Sequence, residues 1–441
     1  MIGRGNRPLP SSPSPTTLAQ GEGPTEADTL TASSRAPSMM GAFSIPAYRT
    51  LWFGTVLAFI SFQAWGPAQS VVAYHLTGNN HAVGFVVFGQ GLAMVLLNPL
   101  SGAVADRLSK RLVILVGQVL ACATMITVGV LIRTGAINIP LLAIGAFLVG
   151  SMFSFNGPAR NALIGDLVPR DKLGGAVAFM QVGANFSRTA APFMAGALLA
   201  WPLVGLAGTY FLMASILFFV IITYLKIPDA PVRVKEIETS VLQDVRGGIR
   251  FVTSSPRLFH SVVNFYVVAV LGMSYPVLMP GFVHHALGFG AAGVGILLGA
   301  SAAGGVITSL IVASKANSEQ AQFYVKLSSF ALGVALVLTG LAPTFLLAIL
   351  AMALVGGGAS AFQTLNNVVA LRRSTPAFYG RVMALMFIAW GLNATAGLPI
   401  GLLADAWGER TVFAGLGISL CVATLLFAAW EARLNPNEPV S

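Results

Sequence analysis

About a dozen apolar stretches, each near the length of a bilayer-crossing helix and separated by short polar loops, leave this chain few places to fold other than a lipid bilayer. A spanning helix needs about 20 mostly apolar residues and closes its backbone hydrogen bonds within itself. The stretches cover residues 51–74, 83–105, 112–132, 139–157, 174–200, 203–225, 259–283, 291–313, 324–341, 345–369, 382–406 and 412–430, and each predicts one transmembrane helix. Of the 441 residues, 56% are hydrophobic and 9% charged, against about 25% charged in soluble domains. A water-soluble fold has no way to hide so much apolar surface, whereas a bilayer-embedded one need not.

The net charge of +10 is distributed as a membrane protein distributes it. With a cytoplasmic N-terminus, every Lys and Arg falls on the cytoplasmic side except Arg133 and Arg410, which fall outside, and Arg188, which lies mid-span. That asymmetry predicts a multi-pass protein of the cell (inner) membrane with both termini cytoplasmic. Lys226, Arg233, Lys235, Arg246, Arg250 and Arg257 crowd the longest interruption. The chain then divides into a Ser/Pro/Thr/Gly-rich disordered cytoplasmic tail (1–42), a six-helix bundle (43–225), a cytoplasmic central loop (226–257), a second six-helix bundle (258–432) and a short cytoplasmic tail (433–441). Within the loop, residues 241–252 have helical apolar spacing and are expected to lie along the membrane surface.

Other functions leave no trace. No basic run is interleaved with aromatics, so nucleic acid is not an expected partner. Cys122 and Cys421 both sit inside apolar spans and match no metal spacing. No nucleotide-binding glycine-rich lysine loop is present, and no nucleophile set recurs at one depth, so neither ATP coupling nor an enzyme is expected and no cofactor is called for.

Arg188 is the outstanding exception in the spans. A cation at the bilayer centre costs roughly 2.5–3.5 kcal/mol on insertion scales, so it faces a cavity or a partner rather than lipid. Gln181, Asn185 and Arg188 stand at i, i+4 and i+7, on one face of one helix. Two readings stay open for Arg188: a structural cation satisfied between helices, or an attractor of anionic substrate groups. Gln63, Gln69, Gln90, Asn98, Gln118, Asn264, Tyr275, Gln363, Asn367, Trp390 and Asn393 punctuate other spans, where polar residues serve as interhelical glue or as cavity lining. No Asp or Glu lies mid-span; the nearest are Asp106, Asp166 and Asp405 at span ends. His75, His81, His284 and His285 fall at outer span ends, either as plain interfacial residues or as sensors of external pH.

The halves are weakly alike. Residues 156–200 and 366–407 each begin with Asn (Asn156, Asn366), cross a polar loop, and enter a span carrying Pro (Pro192, Pro399) and then Gly (Gly196, Gly401). Internal repetition of this kind marks transporter folds. The first cytoplasmic loop reads Gly102-Ala-Val-Ala-Asp106-Arg107-Leu-Ser-Lys110-Arg111. It resembles the Gly-x-x-x-Asp-Arg-x-Gly-Arg-Arg loop of the major facilitator superfamily, with Ser109 and Lys110 as departures; the second-half copy near Lys315 is degenerate. The stretch from Asn156 through Arg160 and Asp166 to Arg170, and Gly380-Arg381 in the second half, resemble loops of the drug-efflux and siderophore-export branch. Ala191-Pro192-x-x-Ala195-Gly196 resembles the Gly-Pro-x-x-Gly-Gly helix-5 motif of exporters, carried here by Pro192 and Gly196.

The resemblance spans residues 43–432 and implies an all-α membrane protein with twelve transmembrane helices in two pseudo-repeated six-helix bundles, working by alternating access. It assigns Gly102, Asp106, Arg107, Lys110 and Arg111 to a conformational-switch loop. Its cavity-lining helices favour Gln63, Asn264, Tyr275 and Gln363, beside Gln181, Asn185 and Arg188, as candidate cavity residues. The expected activity is export of small amphipathic or drug-like molecules by a monomer with protons as the coupling ion. The alternative, favoured by Arg188 and the missing mid-span acid, is an uptake permease for a small anionic metabolite.

Overall fold

A computed structural model describes residues 41–169, 172–201, 203–228, 241–313, 318, 320–374 and 379–433; of the expected tails at 1–42 and 433–441, residues 1–40 and 434–441 lie outside the described residues. Among the described residues every regular element is helical. The first bundle contains α1 (Pro46–Thr77), α2 (Asn80–Arg107), α3 (Lys110–Arg133), α4 (Ile139–Leu167), α5 (Leu173–Ala200) and α6 (Gly205–Tyr224). After α7 (Val241–Ser254), where the sequence predicts a helix at 241–252, the second bundle contains α8 (Pro256–Gly272), α9 (Ala291–Ala313), α10 (Ala321–Leu341), α11 (Phe345–Arg372), α12 (Tyr379–Thr395), α13 (Gly397–Trp407) and α14 (Glu409–Ala432).

Local chemistry sets the boundaries. Pro46 opens α1, and Gly78 closes it at φ 70°, a left-handed conformation that glycine adopts without a Cβ penalty. Ser109 caps α3 by accepting from the Leu112 amide at 3.2 Å, which gives a helix-start role to the residue where the motif carries glycine. Asn138 caps α4 in the same way at 3.0 Å.

Two expected single helices are interrupted. The seventh span breaks after Gly272 into a 3-10 turn (Tyr275–Val277) and short helical turns through Ala286. The eleventh divides between Thr395 and Gly397. In each case a proline stands four residues beyond the last helical carbonyl, Pro276 after Gly272 and Pro399 after Thr395. A proline ring collides with that carbonyl and supplies no N–H to it. Helix α5 nevertheless runs unbroken through Pro192.

Among the described residues, eleven spans are long and apolar enough to cross a membrane, with the α12–α13 pair counted as one. Helix α5, 28 residues long and carrying Arg188, packs along α1 and α9 as the twelfth crossing. Inside the first bundle α2 packs on α4, α3 on α4 and α6, and α1 on α5 and α6. The second repeats the scheme, with α9 on α11, α10 on α11 and α14, and α8 on α12 and α14. Large side chains such as Trp65 and Tyr210 fill the first core, edge to face at 5.3 Å; Phe265, Phe282, Phe362 and Phe413 fill the second. Outward-facing Phe218, Ile307, Leu354 and Leu426 present the apolar surface that lipid requires.

Candidate functional site

The two bundles meet along two helix pairs, α2 with α12–α13 and α5 with α9. The pairs correspond under the internal repeat, because α2 matches α9 and α5 matches the α12–α13 span. Both crossings use glycine where backbones must touch. A Cβ on Gly196 of α5 would overlap the Gly295 backbone of α9, and one on Gly84 of α2 would overlap Gly397 of α13. A Cβ on Gly91 would come within 2.7 Å of the Gly391 oxygen in α12. Small residues permit this approach. Gly196 therefore sits at an inter-bundle contact, with Pro192 one turn away in the same helix.

Among the described residues, the hydrogen bonds that cross between bundles occur at one mid-helix point and at one end of the molecule. The mid-helix point is Arg188, whose Nη1 donates to Gln363 Oε1 of α11 at 3.1 Å. Its side chain is accessible to solvent. No described carboxylate pairs with it. Gln181 shares the exposed face of α5, and the Asn185 side chain lies outside the described ones. The other candidates are more dispersed. Gln63 is half-buried on α1. Asn264 is 4% exposed, inside the second bundle. The Tyr275 hydroxyl meets Ser301 Oγ at 2.9 Å within that bundle. The structure thus brings Arg188 and Gln363 together, while Asn264 and Tyr275 are engaged in packing.

The end contact is denser. It joins the α1–α2 turn to the α13–α14 turn and the segment before α9. Asp405 Oδ1 accepts from the Asn80 amide at 2.7 Å, and Oδ2 accepts from the His81 amide at 2.8 Å, so a carboxylate of one bundle caps the first turn of α2 in the other. His81 Nδ1 lies 2.7 Å from the same Oδ2. Asn80 Nδ2 donates to Asp405 Oδ1 at 3.1 Å and to Glu409 Oε1 at 2.8 Å. His285 bridges Glu409 Oε1 (3.0 Å from Nδ1) and the Tyr74 hydroxyl (2.9 Å from Nε2). The sequence marks Asp405 and the histidines as span-end residues but gives no sign that they pair, because His81 and Asp405 are 324 positions apart. Glu409, Asn80 and Tyr74 escape sequence reasoning altogether.

At the opposite end, Lys110 pairs with Asp166 across α3 and α4. Arg111 donates to the carbonyls of Tyr224 (3.3 Å) and Leu225 (2.6 Å), where it caps the C-terminus of α6. Gly102, Asp106 and Arg107 belong to the last two turns of α2, and the side chains of Asp106 and Arg107, like that of Arg381, lie outside the described ones. Arg160, expected only as a loop cation, reaches into a cavity of about 50 Å³ lined by Phe62, Gln118, Phe153 and Asn156, with its guanidinium 4.4 Å from the Phe59 ring centre. No described group of three or more His, Cys, Asp or Glu side chains forms a metal site.

Paired bundles with glycine crossings between them and Arg188 at their interface fit a membrane transporter rather than an enzyme. Residues 37–438 match the model of the transmembrane secretion effector family, and the chain belongs to that family of the major facilitator superfamily. It is similar to the enterobactin exporter EntS of Shigella flexneri, 28% identical over 406 residues that cover 89% of this chain and 94% of that one. It is also similar to the staphyloferrin A transporter of Staphylococcus aureus strain NCTC 8325, 25% identical over 82% of this chain and 90% of that one. Its fold resembles the crystal structure of a point mutant of the nucleoside transporter NupG, with a TM-score of 0.69 at 15% identity over 86% of this chain and 99% of that one.

Proposed function

We propose that this transporter exports small amphipathic molecules bearing anionic groups, of the siderophore kind, in exchange for protons across an inner membrane, with both termini in the cytoplasm. Arg188 is the observation that carries the substrate class. It is a mid-membrane cation at the bundle interface, answered by the neutral Gln363 and by no described carboxylate. A cation in a low-dielectric site attracts an anionic ligand and repels a cationic one. Two relatives whose names specify a siderophore, one of them called an exporter, support both direction and chemistry. The Lys/Arg distribution supports the orientation, in which the Asn80–Asp405 end is external.

The test uses everted vesicles with a respiration-generated pH gradient and a pH-sensitive dye. Enterobactin, staphyloferrin A and a cationic dye serve as probes. At least one anionic probe is expected to dissipate the gradient, and Arg188→Gln is expected to reduce its rate by about tenfold or more, the equivalent of one lost charge-assisted contact of about 1.4 kcal/mol or more. Dissipation by the cation alone, or an undiminished rate in Arg188→Gln, overturns the reading.

A further inference from the structure

We infer that the junction of His81, His285, Asp405 and Glu409 is a proton-binding site that closes the outer end of the transporter. The inference deepens the proton-exchange reading above and takes its orientation from it. The argument begins with the carboxylates. Asp405 and Glu409 stand one helical turn apart, on either side of the α13–α14 break, and both accept from the single side-chain amide of Asn80. Two carboxylates converging on one neutral donor repel each other unless positive charge comes close. Among the described residues that charge comes from the two imidazoles in contact with them, His81 Nδ1 at 2.7 Å from Asp405 and His285 Nδ1 at 3.0 Å from Glu409. The neighbouring Arg410 is turned away, since its guanidinium donates to the carbonyls of Gly340, Ala342 and Ala286. The remaining titratable neighbours are Tyr74, bonded to His285, and His284, whose ring centre lies 5.4 Å from that of His285.

These contacts join the bundles. Tyr74, Asn80 and His81 belong to the first, and His285, Asp405 and Glu409 to the second. Separating that end breaks the His81–Asp405 contact and the Tyr74–His285 bond and returns His81 to water, while His285 keeps Glu409, its partner within the second bundle. The His81 and His285 side chains are 46% and 53% exposed even when the junction is formed, so external protons reach them directly. Neutral imidazoles can hold the junction with Nδ1 donating to each carboxylate. A cationic His81 holds it more strongly, by its charge against Asp405 across the bundles, and a cationic His285 turns its Nε2 into a donor to the Tyr74 oxygen. The closed end therefore binds more protons than the open one, and the sign follows. Acid favours closure, and closure is lost as pH rises through the histidine range of about 5 to 8. By this linkage the closing equilibrium changes by up to about tenfold per pH unit for each proton taken up. In an exporter, the end just emptied of substrate is then resealed by the protons it faces. The amide caps that Asp405 places on α2 do not titrate and give the junction its pH-independent part.

The experiment follows the outer end without any substrate. Spin labels are attached at Ala136→Cys and Leu341→Cys, exposed positions on the first and second bundles, in a chain with Cys122→Ala and Cys421→Ala, reconstituted in nanodiscs. Electron–electron distance distributions are recorded from pH 8.5 to 5.0. The short-distance population is expected to grow as pH falls, with a midpoint between about 5 and 8. His81→Gln/His285→Gln keeps a neutral donor at each place and is expected to show a mixture independent of pH. A distribution that ignores pH in the otherwise native chain overturns the inference, as does an undiminished pH response in the double variant. Failure of the exchange reading shows itself elsewhere, as absence of anion-driven gradient dissipation in vesicles while the distance response persists.

Discussion

Individual arginines differ in how their charge is answered. Arg373 donates to the Arg257 carbonyl at 3.0 Å, to Ser261 Oγ at 2.8 Å and to Glu431 Oε1 at 3.1 Å. Lys326 Nζ lies 3.0 Å from the other Glu431 oxygen, an ion pair out of line for a hydrogen bond. One partly buried carboxylate thus ties together α10, the end of α11 and α14. Glu431→Gln leaves two cations with a neutral partner, and is expected to destabilise the protein by ~1–3 kcal/mol, seen as a lower melting temperature in detergent. Arg373→Met in the same chain is expected to restore most of the loss. An unchanged melting temperature in Glu431→Gln contradicts this account of the clamp. Arg188 is the contrasting case, and it is the one legible in sequence, since a charge among apolar residues needs no fold to be noticed. Its partner Gln363 is also polar within a span, but 175 positions separate the two, and nothing local reports that they meet. Asn264 and Tyr275 carry the same sequence signal and are engaged inside one bundle. Polarity in a span marks a constraint without telling glue from cavity wall.

Helices show the same division between local and distant information. The twelve apolar runs are readable because hydropathy over about 20 residues is a local property. Start and stop residues such as Ser109, Asn138 and Gly78 refine them. The breaks after Gly272 and Thr395 follow from Pro276 and Pro399, yet Pro192 breaks nothing, so proline alone does not decide. Neighbouring helices make up for the lost backbone bond in one place and not in another. Tertiary context also explains the glycines. Gly196 is readable as part of a motif, but its need to be glycine comes from Gly295 on a helix of the other bundle. Gly196→Leu is expected to insert normally and to hold α5 away from α9. Transport of the anionic probe is expected to fall by about tenfold or more, as befits strain of at least ~1–3 kcal/mol at a tight contact. Membrane abundance measured by immunoblot separates this from misfolding. Full transport at normal abundance removes the crossing from the mechanism.

The molecule as a whole is two repeats joined through two equivalent helix pairs, so a motion that opens one end of the interface naturally closes the other. Contacts at the Asn80–Asp405 end, the Gly84–Gly397 and Gly196–Gly295 crossings and the Arg188–Gln363 bond act together to hold one member of that pair of states. If alternation is obligatory, tying this end shut stops turnover however intact the substrate-facing residues remain. The side chains of His81 and Asp405 touch across the bundles, which makes His81→Cys/Asp405→Cys a suitable pair for a short bifunctional thiol reagent with a reducible centre, in the chain with Cys122→Ala and Cys421→Ala. Cross-linking is expected to bring transport of the anionic probe down to the rate of vesicles lacking the protein. Reduction is expected to return it to the rate of the uncross-linked double variant. Each single-cysteine chain, treated in the same way, controls for modification without a tether. Turnover that continues with the end covalently closed requires a path that never opens there, and rocking of the two bundles fails as the mechanism.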